Sequence, residues 1–105
     1  MSTEGFIYIL TNKSKRVLYV GVTSDLRSRI WEHYNKVYEG FTRRYKIKFL
    51  IYYEFHETIE GAIEREKEIK GWKRDRKFSL VKEKNKELLF LNDEISDDVY
   101  SLIED

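Results

Sequence analysis

In the stretch LYVGVTSDLRSRIWEH, residues 18–33, a tyrosine, a glycine, an arginine and a histidine follow one another in close succession. Arg29 and His33 are four positions apart, so on a helix they project from the same side. An arginine stays protonated and offers paired donors to an anion. Glu66 is the second candidate. It falls in a helical stripe with Ile59, Ala62, Ile63 and Ile69, whereas Glu64 and Glu68 point elsewhere. A carboxylate on a packing face must be paired or bound to a metal ion.

The elements that must position these residues read as follows. GFIYILT, Gly5–Thr11, and VLYVGVT, residues 17–23, are rich in β-branched and aromatic residues and flank the polar turn NKSKR, so they predict a hairpin. A four-residue loop at 12–15 would pair Thr11 with Arg16 and set Tyr8 opposite Tyr19. Both phenols would then share one face, whereas a loop one residue longer or shorter would separate them. Ser24 and Asp25 are cap candidates for a helix whose apolar stripe runs Leu26, Ile30, Tyr34, Val37, to about Tyr38. EGFTRRYKIK, residues 39–48, reads as a basic loop, and KFLIYYEF, residues 48–55, as a third strand apolar enough for the interior of the sheet. Thr58 can cap the helix bearing Glu66, which runs toward Trp72 or Lys73, and a further helix is expected over about 75–84. The order β-β-α-β-α-α, with a small, mostly antiparallel three-stranded sheet, is an α+β domain.

A chain of 105 residues holds one modest core. No apolar run approaches the roughly 20 residues that span a bilayer, and no charged-then-apolar leader opens the sequence, so the expected address is the cytoplasm, with no membrane partner. The absence of cysteine removes disulfides, thiolate metal sites and a cysteine nucleophile, and two histidines are too few for a multi-histidine zinc site. The net charge of +1 hides an asymmetry: residues 1–84 carry 19 Lys and Arg against 12 Asp and Glu, or +7, and residues 85–105 carry 1 against 7, or −6. The expected organisation is a basic body, 1–84, that meets a polyanion, and an acidic extension, 85–105, able to compete for the same surface.

Tyr8, Tyr19, Gly21, Arg29, His33 and Glu66 together resemble the pattern of the GIY-YIG nuclease superfamily. The first signature reads FIY (Phe6, Ile7, Tyr8) and the second YVG (Tyr19, Val20, Gly21). The likeness covers about residues 4–84 and is nearest to the short, single-domain bacterial members. It implies a GIY-YIG-like fold and hydrolysis of phosphodiester bonds in DNA, RNA not being excluded, with a single divalent ion, Mg²⁺ or Mn²⁺. By that resemblance Glu66 is the metal ligand and Arg29 neutralises charge on the pentavalent phosphorus. Tyr8 or Tyr19 orients or deprotonates the attacking water, and His33 is an alternative base or a phosphate contact.

Two departures stand out: Phe6 occupies the place of the first motif glycine, and Phe78 that of an asparagine carried by many members, Asn85 being the nearest alternative. They favour a rival reading, a nucleic-acid-binding module that no longer cuts; a protein-interaction adaptor is the other. Arg43, Arg44, Lys46, Lys70, Lys73 and Arg74 are the expected nucleic-acid contacts, joined by Tyr45, Trp72, Arg76 and Lys77. With no helix-turn-helix, zinc finger or second domain to read base edges, recognition of a structure or a single strand is expected over that of a long sequence.

Overall fold

The computed structural model describes residues 3–35 and 40–96; Val37, Tyr38 and the chain after 96, including much of the acidic extension, lie outside them. The described elements are β1 (Gly5–Thr11), β2 (Leu18–Thr23), α1 (Leu26–Tyr34), α2 (Phe41–Arg44), β3 (Phe49–His56), α3 (Ile59–Lys70), α4 (Arg74–Lys84) and a 3-10 turn, Glu94–Ser96. The sheet is antiparallel in the order β2-β1-β3, so the chain has the expected α+β architecture. No helix among the described residues is long and apolar enough to cross a membrane.

Strand β1 is buried at every position because it is the central strand with both faces covered. Its alternating side chains feed two cores. Phe6, Tyr8 and Leu10 join Leu26 and Ile30 of α1, with Ile47, Leu50 and Ile95. Ile7 and Ile9 join Val20, Ala62 and Ile69 of α3, and Val81 of α4. The expectation of an interior third strand is corrected: β3 is an edge. Its apolar character is explained by the chain that covers its outer rim. The amide of Leu91 donates to the carbonyl of Leu50 at 2.7 Å, and Asn92 accepts from the Leu50 amide at 2.9 Å and donates to the Lys48 carbonyl at 3.0 Å. These bonds cap the start of the β3 edge, at residues 48–50.

The hairpin departs from the expected register. The loop spans residues 12–17, because Asn12 Oδ1 accepts from the amides of Arg16 (3.0 Å) and Val17 (3.3 Å) and so keeps both out of the ladder. Thr11 therefore pairs with Leu18, not Arg16, and Tyr8 lies opposite Gly21, not Tyr19. The slip is two residues. Side chains alternate with a period of 2, so Tyr8 and Tyr19 still share one face.

The caps are those expected: Asp25 accepts from the amide of Ser28 at 3.2 Å and Thr58 from that of Gly61 at 3.0 Å. Inside the expected basic loop the structure instead forms the single-turn helix α2. Helix α3 is fastened to β3 through Glu54, which accepts from Arg65 Nε at 3.0 Å and also contacts His56 and the Tyr52 hydroxyl. Burial pushes the Glu54 carboxyl up, but hydrogen bonds from Arg65, Tyr52 and His56 more than offset this and leave it below the usual carboxylate range.

Candidate active site

Tyr8 projects from the central strand with 1% of its surface exposed, and Tyr19, half-buried, projects from β2 beside it. Their ring centroids are 6.3 Å apart. Gly21 makes this arrangement possible. A Cβ built at position 21 would lie within the volume of the Tyr8 ring, so the ring can rest across β2 only over a glycine.

Helix α1 brings His33 down onto the same pair, its ring 5.8 Å from each phenol ring. Nε2 stands 3.3 Å from the Tyr8 hydroxyl and Nδ1 stands 3.2 Å from Oγ1 of Thr42. His33 and Thr42 are both buried. Burial lowers the His33 pKa, the charge of Arg29 lowers it further, and Glu32 opposes the shift only in part. The imidazole is therefore held neutral near pH 7. A neutral ring carries one N–H and one acceptor: if Nδ1–H donates to Thr42, Nε2 accepts from Tyr8. Arg29 sits one turn before His33, half-exposed, with Nε 3.6 Å from Glu32.

The structure thus brings Tyr8, Tyr19 and His33 together with Arg29 alongside, and it adds Thr42, which sequence reasoning did not find. A lone threonine between Phe41 and two arginines carries no periodic signal, and only the turn of α2 aims it at the imidazole.

Glu66 comes from a different helix. It is on α3, the helix whose Ala62 and Ile69 pack on the opposite face of the sheet. Its side chain is 15% exposed, in keeping with the packing stripe, although Ile63 of the same stripe is exposed. Its partner is Lys70, at 3.2 Å, rather than Arg29. Among the described residues no group of three or more His, Asp or Glu side chains could enclose a metal ion. One sheltered carboxylate on a rigid helix still suits Mg²⁺, which keeps most of its waters and takes one or two protein carboxylates.

Phe6 is buried in the same core as Tyr8 and meets Phe55 edge-on at 5.5 Å, a packing role. Phe78 is half-buried under the Arg74 guanidinium, 5.1 Å from its ring centroid. Asn85 is committed to the fold: its amide nitrogen donates to the carbonyls of Ile51 and Leu89, both at 2.9 Å, and its oxygen accepts from the Leu89 amide. The expected nucleic-acid contacts form two exposed patches. Arg43, Arg44 and Lys46 cluster around α2, and Lys70, Lys73 and Arg74 around the α3–α4 junction, where Arg76 stacks 4.0 Å from the Trp72 ring.

Residues 4–79 match the GIY-YIG catalytic domain. The chain is 34% identical over 79 residues to the UPF0213 protein of Staphylococcus aureus strain Mu3, covering 75% of this chain and 95% of that one, and the protein of strain N315 gives the same figures. The solution NMR structure of the UPF0213 protein BH0048 from Bacillus halodurans is similar at a TM-score of 0.51 and 29% identity, over 78% of this chain and 86% of that one. With the signature tyrosines on one face, Gly21 beneath Tyr8 and the match running into α4, the chain belongs to the GIY-YIG family of nucleases.

Proposed function

We propose that this protein is a divalent-metal-dependent endonuclease that hydrolyses phosphodiester bonds in DNA, with selectivity for structured or single-stranded substrates. The observation that carries the reading is the buried line Tyr8–His33–Thr42 with Arg29 at its side. With Thr42 accepting from Nδ1–H, His33 Nε2 accepts a proton from the Tyr8 hydroxyl, and the phenol oxygen in turn takes the proton of an attacking water. Tyr19 orients that water from the neighbouring strand. Arg29, permanently charged and half-exposed, meets the phosphoryl oxygens where negative charge grows in the transition state. Glu66 would hold Mg²⁺ or Mn²⁺, which when bound supplies Lewis-acid stabilisation of the phosphoryl oxygens. The two basic patches hold the backbone, and residues 1–84 act as the catalytic body.

The pairing of Glu66 with Lys70 and the structural use of Asn85 favour a second reading, a module that grips nucleic acid without cutting it. A screen of single strands, flaps, nicks and junctions, in DNA and RNA, with Mg²⁺ or Mn²⁺ against a chelator control separates the two. Metal-dependent cleavage of DNA supports the first; salt-sensitive binding without cleavage supports the second.

A further inference from the structure

A feature that the reading above leaves unused lies on the other flank of α1. Arg27, Trp31 and Tyr34 are spaced by four and three residues and share the side of the helix away from His33. With Phe49 and Phe90 they line an open groove of about 580 Å³. Trp31 is 61% exposed, Tyr34 46% and Phe90 39%, a concentration of bare rings that a small monomer rarely presents without a use. The ring planes are held in place: Phe49 and Phe90 stack at 4.2 Å and 14°, and Tyr34 meets Phe49 edge-on at 6.0 Å.

Cations are set among the rings. The Lys48 ammonium sits 4.7 Å from the Tyr34 centroid and 5.6 Å from that of Phe49, and the Lys15 ammonium 5.2 Å from that of Phe90. The lining itself carries one cation, Arg27, and one acid, Asp93, so the net positive charge comes from the two ammonium groups that stand over its rings. An apolar helix of a partner protein would gain little from ammonium groups set over the rings of its groove. A nucleic-acid strand uses both features at once, because every base has a face to stack and every linkage a negative charge.

We propose that this groove is a stacking platform for unpaired bases of the strand whose backbone lies at the Tyr8–His33 cluster. The proposal rests on the nuclease reading for the direction of that strand. A helix with its side chains is about 10–12 Å across, so the platform takes nucleotides that flank the cleaved linkage, not those that form it. A paired base hides its faces in the duplex, and the platform therefore favours single-stranded or frayed DNA.

The test uses the full chain with Trp72→Phe, which leaves Trp31 as the sole indole, without divalent metal and at low salt. It is titrated with a short oligothymidylate and with an abasic strand of the same length, which has the same phosphates and no bases. The thymidylate is expected to quench Trp31 fluorescence and to bind about ten-fold more tightly than the abasic strand, the effect of roughly one stacked base. In anisotropy measurements Trp31→Ala is expected to erase that ten-fold difference at unchanged melting temperature and unchanged affinity for the abasic strand, and Trp31→Phe to keep most of it. Equal binding of the two strands, or an unaltered preference in Trp31→Ala, overturns the platform. Cleavage of duplex DNA with no base-dependent binding overturns it and leaves the nuclease reading standing. Base-dependent binding with no cleavage of any substrate supports the platform and removes the nuclease instead.

Discussion

The hydroxyl of Tyr8 stands 3.3 Å from Nε2 of His33, and the two residues are 1% and 7% exposed. A phenol and an imidazole this deep exchange a hydrogen bond with each other in place of water, and the surrounding groups decide where the proton rests. Burial and Arg29 favour a neutral ring. Thr42, on the far nitrogen, is the group that can leave the near nitrogen free to accept.

A pH dependence follows. The folded-state pKa of His33 lies below its ordinary value of about 6.5, so the unfolded chain binds the proton first as pH falls. The stability associated with this group is complete above about 6.5 and is lost progressively as pH drops toward the lower folded-state value. Melting temperatures from pH 8 to 5 should therefore fall more in the wild type than in His33→Gln. Parallel curves would mean that the imidazole is not held neutral by the fold.

Gly21→Ala places a methyl group inside the Tyr8 ring. Overpacking of this kind costs about 1–3 kcal/mol, and the ring must leave its place under His33. Urea denaturation should show that loss, accompanied by a drop in cleavage larger than the unfolded fraction explains. Unchanged stability would show that Tyr8 has another rotamer at no cost.

Glu66→Gln separates a metal ligand from a structural ion pair. A helical i,i+4 pair such as Glu66–Lys70, whose lysine lies at the surface, contributes about 0.3–0.5 kcal/mol, so its loss should barely move the melting temperature. Cleavage in Mg²⁺ should nevertheless fall by about two orders of magnitude or more, with DNA affinity in chelator retained. Full activity in a stable Glu66→Gln protein would remove the metal role.

Replacing Lys73 and Arg74 with alanine tests substrate grip. Both side chains are exposed at the start of α4, and each phosphate contact removed should lower the salt slope of duplex binding by about 0.9. Affinity should weaken alike on unrelated sequences. A loss confined to some sequences would mean that these residues read bases.

How far the site could be read from the residues depended on which periodicity each part obeys. The shared face of Tyr8 and Tyr19 was legible although the register was not, because a slip of two preserves parity; Asn12 acts through loop hydrogen bonds that a hydrophobic pattern does not contain. The caps at Asp25 and Thr58 and the shelter of Glu66 on its helix face were legible because they are local. Thr42 was hidden, since a helix of four residues has no stripe. The central strand was ambiguous as well: β3 is as apolar as an inner strand because residues 91 and 92 bond to its edge from far along the chain.

The measurement closest to the central claim is single-turnover cleavage of a flap or single-strand DNA in Mg²⁺ by the wild type and by Tyr8→Phe, with melting curves on the same preparations. Phenylalanine keeps the ring over Gly21 and removes only the hydroxyl beside His33. The account predicts cleavage by the wild type and a rate about 100-fold lower or less in a Tyr8→Phe protein that melts within a few degrees of it. Equal rates in the two proteins, or no cleavage by the wild type on any substrate, would contradict it.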